Sequence, residues 1–282
     1  KFCTFCVVPY TRGSEYSRPV IEIIKEAEKL VSSGAKEIVL LGQNVNAYHG
    51  TSKGGKEVGL DYLICELAEL SRLERIRFTT SHPRDMSAEL IKVFGDEKKL
   101  MPFLHLPVQS GSNKILKEMN RGHTIEDYKR IIDSLIGVRS DMSFSSDFIV
   151  GYPGESIKDF EDTIGLIKEI KFSQSFSFKF SPRPGTPASL KVSNIDEAEK
   201  NNRLYELQKV LHTQKINFNK SFIGKNLNIL IEKYESKGGF FVGKSEYLQP
   251  VRMKSEENLI GQTLNVYVES IESNCLNAQL IN

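Results

Sequence analysis

The chain has 282 residues, 39% hydrophobic and 26% charged, which excludes a disordered or fibrous chain and leaves room for about two folded domains. Lys and Arg number 38 against 36 Asp and Glu. A net charge of +2 excludes nucleic-acid binding through bulk charge, so any RNA contact must come from a local patch. Apolar runs such as Ile38-Val39-Leu40-Leu41 are too short to span a bilayer, and no secretory leader is visible, so no membrane partner is expected.

The chain opens on Lys1 and runs at once into the pair Cys3-Thr4-Phe5-Cys6. Residues 19–34 read as a helix, with Pro19 in its first turn, Ile23, Ile24, Ala27 and Leu30 on one face and Gly34 at its end. A strand is expected at 37–41, a helix at 61–71 and a strand at 75–80. Ser87 is placed to cap a short helix ending near Gly95. A strand at 103–108 is followed by helices at 112–119 and 124–139, the second opened by a Thr124/Asp127 capping box. Strands at 144–150 and 175–180 flank a helix at 156–170. This alternation predicts a parallel α/β fold, with too few strands for a closed eight-stranded barrel. The cysteine loop and first helix have no strand ahead of them, so the chain reads as cut upstream. Residues 196–219 form a long polar helix. Beyond it come only short strands, near 226–232, 240–242, 249–253, 262–270 and 276–281, a small all-β module. The division expected is 1–219 and 220–282.

Cys3 and Cys6 make a C-x-x-C pair, which on its own fits half a zinc site, a thioredoxin-like pair or part of an iron–sulfur site. With Cys65 and Cys275 isolated, the four cysteines make no disulfide framework and fit a reducing compartment, so the cytoplasm is expected. A polar cluster follows each predicted strand of the α/β part. These are Gln43-Asn44, Ser81-His82-Pro83, Gln109-Ser110-Gly111-Ser112, Gly151-Tyr152-Pro153-Gly154-Glu155 and Ser181-Pro182-Arg183-Pro184-Gly185-Thr186. Parallel α/β folds bind ligands at the carboxyl ends of their strands, so five such clusters predict one ligand face. Each also has an ordinary reading, as a βα turn, a cap, a glycine turn or, for Arg183, a partner for a structural carboxylate. Cys65 is expected in the core beside Leu63, Leu67 and Leu70, and Cys275 in a structural role.

Six collinear strings, FCTFCVVPYTRG, LLGQNVNAY, RFTTSHP, HLPVQSGS, DFIVGYPGE and SPRPGTPA, resemble the MiaB family of radical S-adenosylmethionine (SAM) methylthiotransferases across residues 1–188. The terminal β module resembles that family's TRAM domain. The resemblance implies a partial (β/α)6 radical SAM barrel lacking its first strand, followed by a small TRAM barrel. It makes Cys3 and Cys6 the second and third cysteines of C-x-x-x-C-x-x-C, with the first just upstream of Lys1. Three such thiolates hold a 4Fe–4S cluster and leave one iron open to SAM. The resemblance places Gln43, Asn44, Gln109, Ser110, Asp147, Ile149, Gly151, Pro153, Gly154 and Glu155 around SAM. Arg183, Ser81 and His82 fall toward the substrate. A second 4Fe–4S cluster is expected in an N-terminal domain outside this sequence.

The implied reaction adds a methylthio group at C-2 of N(6)-isopentenyladenosine beside the anticodon of tRNA. An adenosyl radical takes the C-2 hydrogen, because that C–H offers no proton to a general base. The implied partners are tRNA, an electron donor such as flavodoxin or ferredoxin, and an unidentified sulfur donor, with the protein a monomer. Alternatives are a sister enzyme acting on threonylcarbamoyl-adenosine tRNA or a ribosomal-protein aspartate, and a non-catalytic zinc/RNA-binding protein. Residues 221–282 carry six Lys/Arg and seven Asp/Glu, so charge does not mark the β module as an RNA binder. Phe240, Phe241 and Tyr247 are read either as base-stacking rings or as barrel core.

Overall fold

The computed structural model describes residues 3–272 and 274–281. Lys1 and Phe2, at the head of the cysteine motif, lie outside them, as do Ser273 and Asn282. In chain order the first part runs α1 (Val8–Arg12), α2 (Val20–Ser32), β1 (Glu37–Leu40), a hairpin β2 (Gly50–Thr51) and β3 (Glu57–Val58), α3 (Leu60–Ala68), β4 (Arg75–Phe78), α4 (Ala88–Asp96) and β5 (Phe103–His105). Next come α5 (Asn113–Glu118), α6 (Ile125–Val138), β6 (Ser143–Val150), α7 (Ile157–Ile170), β7 (Gln174–Lys179) and α8 (Glu197–Lys220). The β module follows as β8 (Asn226–Glu235), β9 (Phe240–Ser245), β10 (Pro250–Met253), β11 (Thr263–Glu272) and β12 (Cys275–Leu280).

Strands β1 and β4 pair in parallel, as do β5, β6 and β7 in that order. The two sheets are joined through residues 99–101, where the Ile76 amide donates to the Lys99 carbonyl and the Met101 amide to the Ile76 carbonyl. The result is an open, parallel α/β sheet, as the strand and helix alternation predicts. Side chains alternate across it. Ile76, Phe78, Leu104, Phe144, Phe148 and Val150 point to the helices and build one core with α2, α3, α4 and α6. The opposite face carries Arg75, Arg77, His105, Ser145, Asp147, Ile149, Phe176 and Phe178, kept in rows by the parallel register. Hydrophobic burial drives the first face together, and the second is left polar and aromatic.

Strands β8 to β12 close into a five-stranded barrel in the order β10-β12-β11-β8-β9 around Ile229, Ile231, Val251, Val266, Val268 and Leu276. The predicted small all-β barrel is thus present, with β9 longer than its sequence pattern implied. Two arginines of β4 tie this barrel to the α/β sheet. Arg75 donates to the carbonyls of Lys244 and Asn228, each at 2.9 Å. Arg77 donates to those of Glu246 (2.7 Å) and Ser245 (3.0 Å), and to Glu37 Oε2 at 2.9 Å. The far end of α8 adds a bond from Gln249 Nε2 to the buried Asn219 Oδ1 (2.8 Å). Phe218 and Phe222 of this stretch stack on Tyr247.

Of the rings singled out above, Phe241 is barrel core, Tyr247 packs at the domain contact, and Phe240 lies half-buried under the Arg252 guanidinium, 4.6 Å from the ring centre. Cys65 departs from expectation. It is exposed on α3, whose buried stripe runs through Leu60, Leu63, Ile64 and Leu67 and leaves position 65 outside. Among the described residues no helix is long and apolar enough to cross a membrane.

Candidate functional site

The cysteine loop is held by backbone bonds from three directions. Cys6 N–H closes a turn onto the Cys3 carbonyl (3.1 Å), Thr4 N–H donates to the Met119 carbonyl (3.0 Å), and Ala188 N–H donates to the Thr4 carbonyl (2.9 Å). Beneath it Phe5 packs with Ile115, Met119, Ile149, Tyr152, Phe180 and Ala188. One apolar patch therefore gathers the ends of β6 and β7, helix α5 and the turn after Arg183 under the two thiols. Both cysteines are half-buried and free.

The loop after β4 is braced by Asn46, which lies in the turn following β1. Asn46 Nδ2 donates to the His82 carbonyl and the His82 amide donates back to Asn46 Oδ1, both at 2.8 Å. Asn44 Nδ2 reaches Asp85 at 2.7 Å. Two strand ends hold non-glycine residues in the left-handed region, Thr80 (φ 65°) and Gln109 (φ 78°). Such strain persists only where the surroundings impose it, and it concentrates at functional sites. For Gln109 the cause is visible: its N–H and C=O both pair with β6, at Asp147 and Ile149. The His82 ring meets His123 edge to face at 5.8 Å, which brings in the α5–α6 junction.

That junction, Asn120-Arg121-Gly122-His123, was missed from sequence. Arg121 Nη1 lies 3.3 Å from Cys3 Sγ while Nη2 donates to the Pro107 carbonyl (2.6 Å). The guanidinium thus spans the cysteine loop and the end of the third predicted strand, fixing where Cys3 sits. Four buried polar atoms around these loops have no hydrogen-bond partner: Asn44 Oδ1, Ser81 Oγ, Arg121 Nε and His123 Nε2. Buried polar atoms are almost always satisfied, so this cluster has the character of a wall facing a polar ligand. The donor set is compatible with an iron–sulfur cluster and SAM. Two thiols and a guanidinium lie together, although among the described residues no group of three or more His, Cys, Asp or Glu is placed to hold a metal ion.

The glycine loop after β6 forms the next wall. Gly151 (φ 72°) and Gly154 (φ 87°) take conformations other residues avoid. Glu155 is buried, and its Oε2 accepts from the Gly151 amide (2.7 Å) and from Arg203 (2.8 Å). Burial pushes the Glu155 carboxyl up, and the Gly151 amide and Arg203 oppose this. Tyr152 turns the other way, its hydroxyl 2.9 Å from Thr4 Oγ1 and 3.0 Å from the Glu118 carbonyl. On the sheet face Asp147 and Ile149 stand in register with Phe176 and Phe178. Asp147 Oδ2 lies 3.6 Å from His105 Nε2.

The loops bearing Cys3, Cys6, Ser81, His82, Gln109, Gly151, Pro153 and Glu155 therefore interconnect. Ser110 faces away from them. It is fully buried, accepts from the Ser112 amide (3.2 Å) and sits against Thr163 Oγ1 of α7 (3.4 Å). Gln43 and Arg183 are exposed at the rim. Gln43 and Asn44 also border a cavity of about 530 Å³ that opens along the outer edge of β1 beside Tyr16, Ile38 and Tyr48. None of the other predicted site residues lines it. The missed residues Asn46, Arg121, His123 and Arg203 gave one usable signal, the polar Asn-Arg-Gly-His run wedged between two amphipathic helices.

Comparison with known proteins agrees with this geometry. The Radical SAM superfamily profile matches residues 1–167. A tRNA-2-methylthio-N(6)-dimethylallyladenosine synthase from Maricaulis maris (strain MCS10) is 51% identical over 284 residues, 99% of this chain and 62% of that protein. The protein of the same name from Rickettsia rickettsii (strain Sheila Smith) is 50% identical over 282 residues, 100% of this chain and 63% of that protein. The chain thus spans a little over three fifths of the length of these relatives. Two solved structures share the fold. Streptococcus suis SuiB bound to S-adenosylmethionine has a TM-score of 0.52 at 16% identity, covering 76% of this chain and 45% of its own. Coproporphyrinogen III oxidase (HemN) from Escherichia coli has a TM-score of 0.50 at 13% identity, covering 88% and 64%. A profile match over more than half its length, on an open parallel sheet whose strand ends converge on a C-x-x-C loop, establishes that the chain belongs to the radical SAM superfamily.

Proposed function

We propose that the protein carrying this chain is a MiaB-type methylthiotransferase, adding a methylthio group to C-2 of N(6)-isopentenyladenosine next to the anticodon in tRNA. The observation that carries this reading is identity of 50–51% across essentially the whole chain to synthases of that name. The fold alone reaches only the superfamily. In this reading Cys3 and Cys6 supply two of three cluster thiolates, the third being the cysteine that the family signature puts two residues before Lys1. Arg121, 3.3 Å from Cys3 Sγ, holds that thiol in place. Gln43, Asn44, Gln109, Asp147, Ile149, Gly151, Pro153, Gly154 and Glu155 shape the SAM side, and Ser110 braces that wall from behind. Ser81, His82 and Arg183 face the RNA. When bound, the cluster and SAM supply hydrogen-atom abstraction from an unactivated aromatic C–H. The chain's own residues orient both partners and keep the pocket walls polar and fixed.

The reading extends to a domain division at residues 219/220, a second 4Fe–4S cluster in an N-terminal domain, and a cytoplasmic monomer reduced by a flavodoxin- or ferredoxin-type donor. The test is anaerobic iron–sulfide reconstitution of the full-length gene product with SAM, reductant and an isopentenylated anticodon stem-loop. Visible iron–sulfur absorbance and a methylthio-adenosine product by mass spectrometry are expected. Stoichiometric zinc with neither signal overturns the proposal. Product only on threonylcarbamoyl-adenosine RNA or on a ribosomal-protein aspartate moves it to a sister activity.

A further inference from the structure

The glycine loop after β6 is gripped from behind by one helix. Lys200 and Arg203, three residues apart and so on one face of α8, both press on it. A Cβ on Gly151 would come within 2.6 Å of Lys200 Cγ, so the helix packs directly against the loop backbone. Arg203 does more. Its Nη1 donates to Glu155 Oε2 (2.8 Å) and to the Glu155 carbonyl (3.2 Å), and Glu155 Oε2 also accepts the Gly151 amide at the other end of the loop. The guanidinium is fixed in turn by Glu199 (2.8 Å) and by the Phe160 ring (5.7 Å). Arg203 and Glu155 side chains are 6% and 1% exposed. On the far side of the loop Tyr152 touches the cysteine loop. The loop is thus sandwiched, α8 behind and the cysteine loop in front, with a buried ion pair at its base.

We propose that Arg203 is a positioning residue for SAM: through Glu155 it sets the backbone of residues 151–155 at the distance from the Cys3–Cys6 loop that SAM must span. This rests on the SAM-binding reading above. Neither residue need touch the ligand. The Glu155 carboxylate joins both ends of a five-residue loop, so the arginine that fixes that carboxylate passes its placement to the loop, and sub-ångström placement governs affinity in such sites.

The test uses the full-length gene product with its clusters reconstituted, comparing wild type with Arg203→Gln, Arg203→Lys and the pair Glu155→Gln/Arg203→Gln. SAM dissociation constants come from equilibrium dialysis, iron content and melting temperature from the same samples, and KM for SAM and for RNA from turnover. Arg203→Gln is expected to weaken SAM at least tenfold and raise KM for SAM by the same factor, with iron content and KM for RNA within twofold of wild type. Arg203→Lys, which keeps the charge but loses the fork, should recover most of that loss yet stay about threefold weaker than wild type. The double variant, with no buried charge left alone, should bind SAM no worse than Arg203→Gln. Unchanged SAM affinity in Arg203→Gln overturns the proposal. Should that variant not fold, wild-type affinity in Arg203→Lys overturns it equally. Wild-type protein with full iron content that binds no SAM sinks the SAM-site reading itself, which is a different result from any of these.

Discussion

His123 is buried at the α5–α6 junction between the rings of His82 and Tyr128. Its Nδ1 faces the Arg121 carbonyl at 3.3 Å, and a carbonyl only accepts, so the proton sits on Nδ1 and the orphaned Nε2 is an acceptor. Burial, then the nearby Arg121 charge, push its pKa from 6.5 down to about 4. The unfolded chain therefore binds a proton that the fold refuses between those values. Stability contributed by keeping this ring neutral is full above pH 6.5 and is lost as the pH falls toward 4, by at most about 3 kcal/mol. Replacing His123 by Phe keeps a ring but removes the titration, so urea denaturation of the cluster-free protein should show a flatter slope between pH 6.5 and 4. An unchanged slope would show that His123 is solvated. The sequence made the polar strand ends visible because Gly, Pro, Asn, Ser and Gln cluster there. It did not make the burial of His123, Arg121 or Arg203 visible, since a basic residue on or beside a helix reads as solvated surface until tertiary contacts bury it.

At the level of elements, α7 shows how a site wall is tied to its scaffold. Ser156 caps the helix and Asp159 returns the bond, a reciprocal capping box. Asp159 also accepts from Ser112 Oγ (2.6 Å) and Lys114 Nζ (3.0 Å), so the cap of α7 holds the start of α5, and Lys114 reaches on to the Gly154 carbonyl (2.7 Å). Burial opposes the Asp159 charge, but the Ser112, Ser156 and Lys114 bonds outweigh it and hold the carboxyl well below the ordinary range. A depressed carboxyl contributes stability above its unfolded pKa and loses it as the pH falls through the folded one. Asp159→Asn should therefore cost about 2 kcal/mol at pH 7, and the gap from wild type should narrow below pH 4. Equal stability of the two proteins at neutral pH would mean that the carboxylate is dispensable. The long helices and buried strands were readable because each carries many periods of its own pattern. Helix α1 and the β2–β3 hairpin were not, since five- and two-residue elements contain less than one useful repeat, and tertiary contacts define them.

Over the whole molecule, the change from alternating helices and strands to strands alone announced two cores, but nothing in the pattern announced how they join. Strand β4 reads Arg-Ile-Arg-Phe, which alternation alone would give a solvated polar face, yet all four residues are buried. The two arginines instead satisfy four barrel carbonyls, at Lys244, Asn228, Glu246 and Ser245. Burial lowers the Arg77 pKa and Glu37 opposes this, so the carboxylate offsets part of the desolvation of a guanidinium that stays charged. Removing one member of a buried pair costs more than removing both, because the survivor keeps its desolvation penalty without compensation. Arg77→Met should cost about 3 kcal/mol by leaving Glu37, 13% exposed, without its closest cation, and Arg77→Met/Glu37→Gln should cost clearly less. Because the same side chain latches the barrel, calorimetry of Arg77→Met should resolve two unfolding transitions where wild type shows one, with earlier proteolysis between residues 220 and 226. A single transition at the wild-type temperature would show that α8 alone couples the cores.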